Sequence, residues 1–125
     1  MAGLEDLYRE IVLDHYRSPR NRGSLPTPPA VKADGFNPLC GDETHVFVEV
    51  RDSVVHDIKI DGQGCSISQS SASMMSSALK GLTVEQSHAM FDAFKLLMGV
   101  ELDGEPHPGA LTARLGDLEA MQGVR

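Results

Sequence analysis

The chain has 125 residues, 41% of them hydrophobic and 23% charged, the balance of one globular domain that buries about two thirds of its unfolded surface. A formal net charge of −7, no Trp and 5% aromatic residues exclude a general nucleic-acid binder, which needs a basic surface or stacking platforms. No run approaches the ~18 apolar residues of a membrane span. Met1–Asp6 carries no basic region followed by an apolar stretch, so the expectation is a cytoplasmic protein with no signal peptide and no membrane partner. Two cysteines make no disulfide framework, and a reducing cytosol opposes a bridge.

The spacing of Leu4, Leu7, Tyr8, Ile11, Val12 and His15 predicts a helix over 4–16, with Glu5 and Asp6 at the positive end of its dipole. Ser18-Pro19 ends it. Residues 18–29, punctuated by Pro19, Gly23, Pro26, Pro28 and Pro29, read as a stiff surface strap. Arg9, Arg17, Arg20 and Arg22 cluster near the start of the chain, either as a solvated basic face or as a docking face for an acidic partner. Residues 30–36 are a first strand with Val31 and Phe36 as inward residues. Residues 44–50 alternate Val46, Val48 and Val50 with His45, Phe47 and Glu49, which predicts a strand. After the turn at 51–53, residues 54–61 pair with it, with Val54, His56, Ile58 and Ile60 on one face.

A helix follows from Ser66 to about Lys80, opened by a Ser66/Gln69 capping box. Ile67, Met74, Met75, Ala78 and Leu79 line its buried stripe, and its serines let another backbone come close. Thr83-Val84-Glu85-Gln86 is a second capping box, opening a helix over 84–98 with Met90, Phe91, Phe94, Leu97 and Met98 on its apolar face. Residues 100–109 are an acidic loop. Leu111, Leu115, Leu118 and Met121 predict a last amphipathic helix over 110–121.

Two stretches carry chemistry. Asn37-Pro38-Leu39-Cys40-Gly41-Asp42 and Gly62-Gln63-Gly64-Cys65-Ser66-Ile67-Ser68 hold both cysteines, 25 positions apart. Cys40 and Asp42, joined by glycine, can turn toward one point, and thiolate and carboxylate are both zinc ligands. Cys65 sits just before a helix N-terminus, where free amides and the dipole favour a thiolate. Buried inert thiols and a disulfide stay open as readings beside a metal or persulfide site, which the glycines, Pro38 and Asp42 favour. His45 and His56 lie in strands; His88 on a helix and His107 in the acidic loop are candidate extra ligands.

These two stretches resemble the SufU branch of the IscU/NifU N-terminal family of iron–sulfur assembly proteins. Leu7–Asn21 and Ser68–Met75 are similar too. The resemblance implies an α+β fold, a three-stranded antiparallel sheet packed by helices with the metal site at one end. It implies zinc held by Cys40, Asp42 and Cys65, with Cys40 as the catalytic nucleophile. The implied partner is a pyridoxal-phosphate cysteine desulfurase of the SufS type, with a SufBCD-type scaffold beyond it. The alternative is a scaffold assembling a [2Fe–2S] cluster on the same ligands. The family's third cysteine follows a segment similar to Gly116–Arg125, where this sequence stops. The expectation is therefore a single domain over 1–125 that lacks the family's C-terminal tail, with an open site and weak or absent zinc.

Overall fold

The computed structural model describes residues 2–39 and 41–124. Helix α1 spans Ala2–Arg17, followed by strands β1 (Val31–Asn37), β2 (Asp42–Arg51) and β3 (Val54–Gln63), then helices α2 (Ser66–Leu79) and α3 (Val84–Leu97). Two 3-10 segments, Ala110–Thr112 and Gly116–Val124, complete it. The strands form one antiparallel sheet in the order β1-β2-β3, with helices packed against it: the expected α+β architecture. Among the described residues no helix is long and apolar enough to cross a membrane.

β2 and β3 are joined by Asp52 and Ser53, both at positive φ (52° and 62°). That geometry matches the right-handed twist of the strands it connects. The register then slips between Glu49 and Val50: Glu49 faces Asp57 but Val50 faces Val55. His56 is the extra residue of this bulge and is exposed, and the side-chain alternation inverts across it. The core face of β3 is therefore Val55, Ile58 and Ile60, not the expected Val54, His56, Ile58 and Ile60. β1 departs further from expectation. All seven of its residues are exposed, Val31 at 70% and Phe36 at 65%, because β1 is an outer strand beyond the reach of the helices.

Two apolar clusters fill the interior. Val55, Ile58 and Ile60 pack with Ala72 and Leu79 of α2, flanked by Val46, Val48 and Met90. Val12, Met74, Ala93, Leu115, Leu118, Ala120 and Met121 form the second cluster, which Met90 also flanks. In α1 the stripe that touches this core begins at Tyr8; Leu4 and Leu7 are exposed. The C-terminal stretch is not the continuous amphipathic helix expected. Ala113 is extended between the two 3-10 segments, and Gly116 turns the chain at φ 59°. Leu111 consequently faces solvent while Leu115, Leu118 and Met121 are buried.

The buried face of α2 is serine-rich, and its hydroxyls bind neighbouring backbones. Ser70 Oγ donates to the Val12 carbonyl at 2.8 Å. Ser73 Oγ accepts from the Arg20 amide at 2.8 Å and meets His15 Nδ1 at 2.8 Å. Ser76 Oγ donates to the Ser73 carbonyl at 2.7 Å and accepts from Asn21 Nδ2 at 3.1 Å. These small side chains let α1 and the proline-rich strap lie directly on α2. The strap also runs beside β3, the Gly23 amide donating to the Ile60 carbonyl and the Ile60 amide to the Asn21 carbonyl.

Candidate metal centre

The two cysteine stretches meet at one end of the sheet. β1 ends at Asn37 and β2 begins opposite it at Asp42, so the first stretch is the turn of a hairpin. The Asn37 carboxamide oxygen accepts from the Leu39 amide at 3.1 Å, and its carbonyl accepts from the Gly41 amide at 2.8 Å. Leu39 is 95% exposed. Cys40, expected as nucleophile and ligand, lies outside the described residues.

Asp42 and Cys65 are brought together. Glu43 faces Gln63 across β2 and β3, which sets Asp42 beside the turn into α2. Asp42 Oδ1 accepts from the Cys65 amide at 3.1 Å; among the described residues no donor reaches Oδ2. This approach depends on two glycines. A Cβ at Gly64 would run into the Asp42 carboxylate, and one at Gly62, where φ is +138°, into the Glu43 carbonyl.

Cys65 is a free, exposed thiol and is itself the N-cap of α2. Its backbone is extended (φ −71°, ψ 169°) and its Sγ accepts from the Ser68 amide at 3.5 Å. The expected Ser66/Gln69 capping box is therefore not the one used, because the helix starts one residue earlier on the cysteine. Gln69 instead accepts from Arg22 Nη1 at 2.8 Å. Arg22 Nη2 donates to the Gly62 carbonyl at 2.7 Å and lies 3.6 Å from Asp61 Oδ1. The Thr83/Gln86 box of α3 forms as expected.

Two of the four arginines of the basic cluster are engaged internally: Arg20 pairs with Asp14 at 2.6 Å and Arg22 with the second cysteine loop. The Asp14 carboxyl is held below the usual range, first by its hydrogen bond from Arg20 and then by the charge of that guanidinium. Sequence reasoning placed Arg22 in a solvated or docking face and missed its bonds to Gly62 and Gln69, as it missed the close fit of Gly64 on Asp42. The Gly-x-Gly before Cys65 was the available signal for the second; nothing local marks Arg22, 40 positions from the carbonyl it binds.

The histidines are placed elsewhere. His45 Nδ1 donates to Asp34 Oδ1 at 2.6 Å. That bond foremost, helped by Lys32 and opposed by burial, holds the Asp34 carboxyl below the usual range. His56 is exposed at the bulge. His88 stacks on His107 with ring centroids 5.0 Å apart, and His107 binds Asp92 at 2.7 Å. Among the described residues no group of three or more His, Cys, Asp or Glu side chains is gathered to hold a metal ion, so no histidine joins Asp42 and Cys65.

A small three-stranded antiparallel sheet packed by helices, with an acid and a cysteine in contact at its end, defines a small α+β domain. The chain belongs to the NifU-like N-terminal domain family, which matches residues 7–124. It is 40% identical over 124 residues to the zinc-dependent sulfurtransferase SufU of Bacillus subtilis (strain 168), covering 98% of this chain and 78% of that protein. It is 33% identical over 124 residues to the iron–sulfur cluster assembly scaffold protein IscU of Streptococcus pyogenes serotype M1, covering 99% and 73%. The crystal structure of the N-terminal part of a nitrogen-fixing NifU-like protein from Brucella abortus superposes with a TM-score of 0.71 at 25% identity, covering 96% of this chain and 78% of that one.

Proposed function

We propose that this protein takes persulfide sulfur from a SufS-type cysteine desulfurase for iron–sulfur cluster assembly. Cys40 is the nucleophile, and Cys40, Asp42 and Cys65 hold zinc at the end of the sheet. The observation that carries the reading is the Asp42–Cys65 contact. Residues 23 apart in sequence converge through a carboxylate-to-amide bond, over a glycine whose missing Cβ makes room. Oδ1 is committed to the Cys65 amide, which orients the carboxylate and leaves Oδ2 as the donor. The exposed thiol beside it suits zinc, which takes sulfur and carboxylate oxygen together. The 40% identity to a zinc-dependent sulfurtransferase supports the same reading.

When bound, zinc keeps its cysteine ligands deprotonated at neutral pH. The chain's own part is to present Cys40 while keeping Asp42 and Cys65 fixed. The Cys40 thiolate attacks the terminal sulfur of the desulfurase persulfide. A new Cys40 S–S bond forms, the desulfurase S–S bond breaks, and the electron pair leaves on the desulfurase thiolate. The terminal sulfur carries its proton across.

Cys40→Ala is expected to abolish stimulation of a SufS-type desulfurase, measured as alanine formed from cysteine. Unchanged turnover would overturn the role of Cys40. The 33% identity to a scaffold protein favours a second reading, assembly of a [2Fe–2S] cluster on the same residues. Anaerobic reconstitution with iron and sulfide separates the two: a stable charge-transfer spectrum supports the scaffold, tight zinc without colour supports transfer.

A further inference from the structure

We propose that Arg22 is a positioning residue for Cys65, the clamp that holds the corner on which Cys65 sits; this rests on the reading of Cys65 as a metal ligand. The guanidinium spans the cysteine. Nη2 binds the Gly62 carbonyl at 2.7 Å, three positions before Cys65, and Nη1 binds Gln69 Oε1 at 2.8 Å, four positions after it. One planar, permanently charged fork thus ties the end of β3 to the first turn of α2. Cys65 sits at the corner between them.

The clamp is itself anchored. Asn21 and Gly23, on either side of Arg22, exchange backbone hydrogen bonds with Ile60 at 2.8 and 3.0 Å, and Arg22 bridges in parallel to Ile60, a core residue 4% exposed. Asp61, 3.6 Å from Nη2, adds charge pairing on the β3 side. The turn between β1 and β2 is built differently. Among the described residues of that turn, the Leu39 amide bonds the Asn37 side chain and the Gly41 amide the Asn37 carbonyl, while Asp42 at its end reaches across to the Cys65 amide. The corner at Cys65 is thus braced by the strap, the sheet and α2 together.

The test compares Arg22→Ala, Arg22→Lys and Gln69→Ala with the parent chain. Zinc affinity is read by competition with a chromophoric chelator, and the cobalt(II)-substituted protein by its thiolate-to-metal charge-transfer bands. Outer partners of metal ligands commonly tune affinity by about tenfold or more, and a loss of about tenfold with shifted cobalt bands is expected for Arg22→Ala. Gln69→Ala, which removes one arm, should lose less, and lysine should restore part of the loss. Amide hydrogen exchange on the metal-free chains is the second readout. Exchange over 62–69 should quicken in Arg22→Ala while 54–60 stays parental. Parental affinity and cobalt spectrum in Arg22→Ala, or weakened affinity with unchanged exchange over 62–69, would overturn the clamp. A parent chain that takes up neither metal would sink the metal centre alone, and exchange over 62–69 would then decide Arg22 by itself.

Discussion

Asp42 uses one carboxylate oxygen to hold the Cys65 amide, and in the proposed site the other is the metal donor. The two tasks separate by substitution. Asp42→Asn keeps a carbonyl oxygen for the amide and loses the charge, so zinc binding should fall by at least about tenfold while the unfolding midpoint stays near the parent's. Gly64→Ala drives a methyl group into the carboxylate, so both the orientation of Asp42 and zinc binding should fail. Chelator competition and thermal unfolding on the two variants check both outcomes. The sequence made the residue types of this site readable: two cysteines among glycines, with an acid two positions on. It did not show which residue caps α2. That is settled by backbone angle, since Cys65 adopts the extended geometry of an N-cap, whereas composition alone favours Ser66. Nor did it show that Arg22 is committed to a carbonyl and a carboxamide, because a cluster of arginines reads the same whether its guanidinium groups face water or brace a loop.

At the scale of elements, α2 is joined to α1 and the strap by hydroxyls as well as by apolar packing. Ser73→Ala leaves His15, 2% exposed, and the Arg20 amide without their shared partner. A loss of about 1–3 kcal/mol is expected, read by urea unfolding. The 100–109 loop is held to α3 by a different device. The His107 amide and ring both donate to Asp92 Oδ2, at 2.8 and 2.7 Å. The His107 amide foremost, then its ring, with burial opposing and Lys95 assisting, holds the Asp92 carboxyl below the usual range. A depressed folded-state value means that this contribution is present above about pH 4 and is lost as the pH falls through the depressed value. Acid titration followed by exchange at the His107 amide should show the loop loosening in that window, and Asp92→Asn should remove the transition. Helices and strands announced themselves through periodicity, and the Thr83 box was readable because its partner stands three residues away. The bulge at His56 was not, since a single extra residue leaves no compositional trace yet reverses every side chain beyond it. The 110–121 stretch carries helical spacing, but Gly116 lies inside it, and the resulting turn splits the pattern.

For the whole molecule, Met90 of α3 flanks both apolar clusters, one against the sheet and one among the helices. Met90→Ala should weaken both together, costing about 2–3 kcal/mol as a lower urea midpoint with an unchanged slope. A changed slope would show the two clusters melting separately. The α+β architecture followed from the sequence because the valine-rich hairpin and the capped helices are each strongly patterned. The inward face assigned to β1 did not hold: Val31 and Phe36, five positions apart, point to opposite sides of the strand, and even Val31, opposite Val48, stays exposed on an outer strand.

That outer strand has a consequence for how the molecule opens. Its side chains lie outside both clusters, and among the described residues its far edge pairs with no other strand. Parting β1 from β2 therefore breaks a backbone ladder and exposes little apolar surface, so it is among the least costly excursions from the native state. β2, β3 and α2, carrying Asp42, Gly64 and Cys65, can stay assembled through it. Amide exchange across the β1–β2 ladder is therefore expected to be faster than across β2–β3.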